Sequence, residues 1–142
     1  MSETRTETVR KYLLEILADK VKKLNIDYLD SKIESYNITR LPVDPLIENW
    51  IIPVRKKREV YNFESRKTYS QDVKSNLENI GFFESLENTI YENNKKRILP
   101  NIENIESIEC LNCGTLQSND TNTGVFSIQI QITYREVYDE TN

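Results

Sequence analysis

Histidine is absent from this 142-residue sequence, and glycine, proline and cysteine are scarce, with three, four and two residues respectively. Histidine is the side chain that most often titrates near neutral pH, and it is the usual general base of serine and cysteine hydrolases. It is also the commonest nitrogen ligand of zinc, copper and non-haem iron. No glycine-rich phosphate loop, nucleophile elbow or paired-carboxylate motif is present. We therefore predict no catalytic residue, no cofactor and no enzymatic activity, with an enzyme that uses carboxylates or lysine as the alternative left open.

Long apolar runs are missing as well. No segment approaches the roughly 18–20 apolar residues of a membrane-spanning helix, and Met1–Arg5 do not begin a secretory signal. The net charge is −4, from 19 basic and 23 acidic side chains, whereas proteins that bind nucleic acid through its phosphates usually carry the opposite balance. We expect one soluble domain over residues 1–142 that remains where it is made, without a membrane partner and without strong affinity for nucleic acid.

The two cysteines, Cys110 and Cys113, have the spacing of half a zinc knuckle. A complete site needs two further ligands, and the chain has no other cysteine and no histidine, so zinc would have to be shared between two chains. A redox pair with this spacing usually begins a helix, which lowers the thiol pKa, whereas these residues end a predicted strand. We therefore predict two reduced thiols and no metal site.

Two helical regions are predicted from the spacing of apolar residues. Residues 3–25 repeat apolar side chains at intervals of three and four, which indicates one amphipathic helix. In residues 70–97, one apolar series precedes Gly81 and a second follows it, so we expect a pair of helices with Ser70 as the first N-cap and Pro100 beyond the end. The first series is Val73, Leu77 and Ile80, and the second is Phe83, Leu86 and Ile90.

About four strands are expected. Residues 32–66 contain a strand pair with a turn at Pro42 and Pro45, although Leu46–Pro53 has no clear pattern. Residues 104–137 form a strand hairpin, in which the last strand alternates apolar and polar side chains. The alternating residues are Phe126, Ile128, Ile130, Ile132 and Tyr134 against Ser127, Gln129, Gln131 and Thr133. Together the elements predict an α+β fold: an antiparallel sheet of about four strands with the N-terminal helix and the central helical pair packed on one face.

Two features are candidate interaction sites: a run of four basic residues and the polar side of the last strand. The basic run is either a docking loop for an acidic protein surface or for weak nucleic-acid contact, or a solvated loop that leads into a strand. The polar side of the strand either faces water or forms a flat, uncharged surface that meets a neighbouring subunit. The residues are Arg55, Lys56, Lys57 and Arg58 in the run, and Ser127, Gln129 and Gln131 in the strand.

Several short motifs follow one another in a defined order. A strand at Ile33–Ile38, a turn at Asp44-Pro45 and a second strand lead to Phe63–Tyr69, which contains the pattern serine–arginine–any–any–tyrosine. Asn79–Glu84 then reads asparagine–isoleucine–glycine–phenylalanine–phenylalanine–glutamate, and Leu99-Pro100 ends the helical region.

The last strand completes this order, since isoleucine and glutamine alternate before a tyrosine at residues 128–134. Over residues 5–137, the series resembles the tail terminator and minor capsid-like proteins of long-tailed bacteriophages. Members of that family often have an aspartate–glycine turn before the second strand. This chain has Pro53–Lys56 there, so its turn must be built differently.

The resemblance implies a hexameric ring that caps the finished tail tube. One face of the ring would bind the tail tube protein and stop polymerisation, and the other would dock the head-tail connector or stopper protein. A sheath terminus, if the tail is contractile, and DNA in passage through the lumen would be further contacts. The implied location is the neck of the virion tail, after assembly in the host cytoplasm. A head-side neck connector or completion protein, and the terminator of a headless tail-like bacteriocin, are the alternatives.

Overall fold

A computed structural model describes residues 3–49, 54–120 and 122–137. Two helices and seven strands occur in these ranges, which confirms the α+β class predicted from the sequence. Their bounds are α1 (Arg5–Ile16), β1 (Asn25–Ile26), β2 (Ser35–Arg40), β3 (Leu46–Asn49), β4 (Val54–Thr68), α2 (Val73–Lys96), β5 (Ile105–Cys110), β6 (Thr115–Asn119) and β7 (Thr123–Val137). The parts of the predictions that fall on Met1, Ser2, 50–53, Thr121 and 138–142 lie outside the described residues.

The sheet is built on two long antiparallel strands. β4 and β7 have 15 residues each and pair over their whole length, from Val54 opposite Val137 to Thr68 opposite Thr123. Strands β2 and β3 lie along the other edge of β4, and strands β5 and β6 lie along the other edge of β7. The two-residue β1 pairs in parallel with β2, so the sheet is mixed and has seven strands in the described residues.

The expectation of about four antiparallel strands is therefore too low. It covers β2, β4, β5 and β7 and omits β1, β3 and β6, which have two, four and five residues. Such short strands give too few residues for apolar and polar positions to alternate recognisably. The predicted strand pair over residues 32–66 includes β3 as a third strand. The predicted hairpin over residues 104–137 likewise includes β6, which occupies part of the segment read as a polar loop.

Helix α1 is shorter than predicted. It ends at Ile16 instead of near residue 25. The following turns are closed by the amides of Lys20 and Val21, which donate to the carbonyl of Leu17 at 2.9 and 2.8 Å. Val21 and Leu24 are nevertheless buried. The apolar spacing thus predicted burial correctly, although the helix does not continue.

Helix α2 is a single helix of 24 residues, and the predicted helical pair is wrong. The chain continues through Gly81, because a helical glycine costs only about 1 kcal/mol relative to alanine. The two apolar series that suggested two helices lie on different sides of one helix. The series that follows Gly81 is buried, whereas Val73, Leu77 and Ile80 are exposed.

The N-terminal end of α2 differs from the prediction, whereas the C-terminal end agrees with it. The N-cap is Asp72, whose side chain accepts the amide of Lys74 at 3.1 Å. Ser70, the predicted cap, lies two residues earlier and accepts the amide of Asp72 at 3.1 Å. At the other end, Arg97 adopts the left-handed conformation with φ 62°, and Pro100 follows.

Both helices pack on one face of the sheet around an aromatic cluster. The rings of Phe82 and Phe83 in α2 both lie 6.4 Å from that of Phe63 in β4. A Cβ on Gly114, in the β5–β6 turn, would lie 2.2 Å from Cγ of Phe83, so this turn passes directly over the ring. The predicted apolar side of β7 is confirmed, since Phe126, Ile128, Ile130, Ile132 and Tyr134 are all buried in this core.

Candidate interaction surfaces

The basic run lies inside β4, so its prediction as a loop is wrong. Its backbone pairs with β7 along one edge and with β3 along the other. Glu59 lies on the helix-covered face, where it contacts α1. Because side chains alternate along a strand, Arg55 and Lys57 lie on that same face. Lys56 and Arg58 lie on the opposite face, so the four cations do not form one surface.

Two cations of the run have partners that fix them in place. Lys57 Nζ lies 3.4 Å from an oxygen of Glu136 in β7. Arg58 Nε donates to the carbonyl of Asp44 at 3.1 Å, and the Arg58 amide donates to the carbonyl of Pro45 at 2.8 Å. Arg58 therefore holds the proline turn against the sheet, which is a structural role that the sequence did not indicate.

A cleft of about 270 Å³ opens beside the run, between α1, the proline turn and the ends of β4 and β7. Its base is the buried carboxylate of Glu59. Arg5 binds this carboxylate, Arg40 donates to it at 3.3 Å, and the hydroxyl of Tyr61 donates to it at 3.3 Å. One carboxylate thus connects α1, β2 and β4.

The cleft carries more positive than negative charge. Arg5, Arg40, Lys57 and Arg58 line it, together with a single acid, Glu59. A surface of this kind can accept a carboxylate or another anion of a partner, because guanidinium groups bind such groups in bidentate geometry. Sequence reasoning missed Arg5, Arg40 and Glu59. The sequence contains one signal for this site: the acidic Glu59 lies at the same two-residue spacing as the apolar residues on one side of its strand.

The polar side chains of β7 lie on the face opposite the helices, but they are not equally accessible. Ser127 and Gln131 each expose only 9% of their surface, whereas Gln129 is more exposed. The amide of Gln131 donates to Glu109 of β5 at 3.1 Å. On β2, which lies beyond β4, Asn37 donates to Glu64 of β4 at 2.8 Å. Glu109 and Glu64 therefore lie on this face together with the uncharged side chains of β7.

The strand register brings part of the two predicted sites together. Arg58 is opposite Thr133, and the next two positions of β4 on the same face are opposite Gln131 and Gln129. Lys56 and Arg58 therefore share a helix-free face with Gln129. We name this surface, formed by Lys56, Arg58, Ser127, Gln129 and Gln131, the polar face.

Lys67 is a buried lysine on the helix side of the sheet. Lys67 Nζ lies 2.9 Å from an oxygen of Glu34, 2.8 Å from the hydroxyl of Tyr36 and 3.8 Å from the ring centre of Phe82. Burial lowers the pKa of Lys67 from its ordinary value, while the bond to Glu34 acts in the opposite direction. Amine catalysis uses lysines of lowered pKa, but here the carboxylate, the phenol and the ring enclose the ammonium group. Lys67 therefore serves to hold β4, β2 and α2 together.

The cysteines occupy different environments. Cys113 is exposed, whereas Cys110 packs against the core, and both are free thiols. Burial, together with the nearby carboxylates of Glu87 and Glu109, raises the pKa of Cys110 to about 12. A thiol of that pKa is a poor nucleophile at neutral pH. Within the described ranges, no group of three or more Cys, Asp or Glu side chains is placed to hold a metal ion.

Across the described residues, neither helix is both long enough and apolar enough to cross a bilayer. Comparison with known proteins gives no family: no protein-family model matches the chain, and no curated protein sequence matches it.

Proposed function

We propose that this chain is a tail terminator of a long-tailed bacteriophage, or of a phage-derived tail-like particle. In this proposal it assembles into a hexameric ring that caps the tail tube, and it acts through its surfaces without catalysing a reaction. One ring face binds the tail tube protein and stops its polymerisation. The other docks the head-tail connector, and in a contractile tail the ring also meets the end of the sheath.

The one-sided covering of the sheet is the observation that carries this proposal. In the described part of the chain, both helices pack on the face of Phe63 and Ile128, while the polar face has no helix on it. That face carries Lys56 and Arg58 toward one end and the amide of Gln129 further along the strands, opposite Asn62. Protein interfaces that form reversibly combine charged and amide groups in this way, since complementary charges set the register of the partner.

A ring is the form of assembly that fits a cap. Contacts between two different surfaces of one chain close into a ring when the rotation per subunit divides evenly into a full turn. The sheet also has open edges, with β1 at one side and β5 and β6 at the other in the described residues. Edge strands can bond to a neighbouring subunit. The net charge of −4 suits a lumen through which DNA passes, because like charges do not attract.

Deletion of the gene from the phage or particle that encodes it tests the proposal. A tail terminator leaves overlong tails when it is missing, and we expect this result from electron microscopy of the particles. Tails of normal length without attached heads would contradict it and identify the head-side neck connector instead. Unchanged particles would exclude both functions.

A second experiment tests the polar face directly. We expect the purified chain to shorten tubes that grow from tail tube protein, and we expect Lys56→Glu to weaken this effect. The matched control is Lys96→Glu, which makes the same change of charge at an exposed position in the last turn of α2. Equal shortening by all three proteins would show that the polar face does not contact the tube.

A further inference from the structure

The outward side of α2 carries an apolar stripe that the described residues leave uncovered. Val73, Leu77 and Ile80 expose 69%, 59% and 46% of their surfaces. Their spacing of four and three residues puts them in one line on the helix, about 10 Å long at the rise of an α-helix. Single exposed apolar residues are common on protein surfaces, but a contiguous line of large aliphatic side chains indicates a contact site.

Gly81 lies beside this stripe and has no function within the fold that requires glycine. A Cβ added to it would meet no atom within 4 Å. Glycine in the interior of a helix costs about 0.5–1 kcal/mol relative to alanine. A glycine lets another backbone approach closely, so a partner that packs on the stripe at Gly81 accounts for this residue.

Three further exposed apolar side chains lie in the segment that contains the edge strand β1 and leads into β2. They are Ile26, Tyr28 and Ile33, and we call them the β1 patch. β1 pairs only with β2 in the described sheet, so its outer edge is open. One of the three, Ile33, lines a cleft of about 380 Å³. Four lysines line this cleft: Lys20, Lys22, Lys23 and Lys32.

The two surfaces have opposite charge. Residues 72–87, which include the stripe, contain four acidic side chains and one lysine, whereas the lining of the cleft contains four lysines with Asp30 and Glu34. The net charges are therefore −3 and +2. Glu78, Glu84, Lys22 and Lys23 are exposed. No acidic or basic side chain of the described ranges forms a salt bridge with any of these four.

We infer that the stripe on α2 of one copy of this chain binds the β1 patch of a second copy. Apolar side chains meet on both sides, and the acidic rim of the stripe faces the lysines of the patch. The two surfaces are different, so each bound copy keeps one surface free for the next, and the contact is head-to-tail. The assignment of this contact to the interface between ring subunits rests on the proposed function.

Single-surface variants test the contact by sedimentation over a range of concentrations. We expect the wild-type chain to associate beyond a dimer. Leu77→Gln on the stripe, and Lys22→Glu with Lys23→Glu on the patch, should each raise the dissociation constant about 10-fold or more, as loss of a central contact does. Leu111→Gln is the matched control. It removes a similarly exposed apolar side chain at the other edge of the sheet, and it should leave association unchanged.

Gly81→Ala separates association from folding. It should raise the melting temperature of the dilute monomer, because alanine favours the helix, and yet weaken association about 10-fold by blocking the close approach. A variant that merely damaged the fold would change both quantities in the unfavourable direction.

Mixing establishes the head-to-tail arrangement. Leu77→Gln chains keep the β1 patch and Lys22→Glu/Lys23→Glu chains keep the stripe, so a mixture has one intact contact and should form dimers and nothing larger. A wild-type chain that stays monomeric, or stripe and patch variants that associate like wild type, would overturn the inference. In either case, overlong tails after gene deletion would still support the proposed function. Normal tails, together with an intact head-to-tail contact, would contradict the proposed function and leave the contact between copies supported.

Discussion

At the scale of single residues, Gly114 holds a turn against the core. A methyl group at this position would lie 2.2 Å from Cγ of Phe83, whose ring is fixed by neighbours on several sides. Because a packed core accommodates extra volume poorly, we expect Gly114→Ala to lower the free energy of unfolding by about 1–3 kcal/mol. Urea denaturation followed by circular dichroism measures this change.

Gly81→Ala is the matched control for that measurement, since its new methyl group would meet open space. We expect it to raise the free energy of unfolding by about 0.5–1 kcal/mol. Equal effects of the two substitutions would mean that Phe83 moves aside freely.

The two thiols should differ in reactivity. Burial raises the pKa of Cys110 to about 12, whereas Cys113 is exposed. At pH 8 a thiol of that pKa has about a thousand times less thiolate than one with an ordinary pKa near 9, and the thiolate is the reactive form. We expect iodoacetamide to alkylate Cys113 in the folded protein and to leave Cys110 unmodified, as mass spectrometry of peptides would show.

Cys113→Ser provides the control for the alkylation, because only Cys110 then remains. The variant should resist the reagent when folded and react fully in urea. Rapid alkylation of the folded variant would show that Cys110 is not protected by burial.

At the scale of elements, a regular apolar spacing predicts which side of an element is buried. It does not predict a helix whose apolar residues lie on two sides, one buried and one exposed. The alternation in β7 predicted its buried side because the strand is long and in the middle of the sheet. In α2 the exposed series ending at Ile80 and the buried series beginning at Phe82 lie on different sides of the helix. A prediction from amphipathic spacing assumes that apolar residues are buried, so the exposed apolar stripe on this one helix predicts a second helix that the structure does not contain.

The cap of α2 allows a test of local helix stability. Asp72 accepts the amide of Lys74 and also the hydroxyl of Ser75, at 3.1 Å each. Its removal leaves an amide of the first turn without this acceptor. We expect Asp72→Ala to lower the free energy of unfolding by about 1 kcal/mol.

Ser70→Ala is the control for the cap, because Ser70 bonds to the amide of Asp72 outside the helix. A smaller loss is expected for it in the same thermal or urea titration. A larger loss for Ser70→Ala than for Asp72→Ala would return the capping role to the residue predicted from the sequence.

At the scale of the whole molecule, the cleft beside Glu59 could not be predicted because its parts come from distant positions in the chain. Arg5 and Glu59 are 54 residues apart, and Arg40 belongs to a third element. Spacing along a sequence reports which residues share a face of one element, and it does not report which elements meet. The basic run was visible in the sequence, but its division between two faces of the sheet follows from the pairing of β4 with β7.

The dependence of stability on pH is a property of the whole molecule, and the composition makes it unusual. With no histidine, no side chain has an ordinary pKa near 6.5, so we expect a nearly constant urea midpoint between about pH 6 and 8. Above this range, burial raises the pKa values of the Tyr36 and Tyr61 phenols and of the Cys110 thiol. The folded chain therefore keeps protons that the unfolded chain has already released.

The sign of the alkaline effect follows from this difference in bound protons. Stability falls with pH wherever the folded state binds more protons than the unfolded state, which for these groups begins near their ordinary pKa values of about 9–10. Lys67 acts in the opposite direction, because its pKa is lowered by burial and its folded form releases a proton earlier. Burial also raises the pKa values of the Tyr12 and Tyr134 phenols, so five raised groups oppose one lowered group, and the urea midpoint should decrease above about pH 9. Tyr61→Phe and Cys110→Ala each remove one titrating group and should make that decrease shallower, whereas a midpoint that stays constant to pH 11 would contradict the burial of these protons.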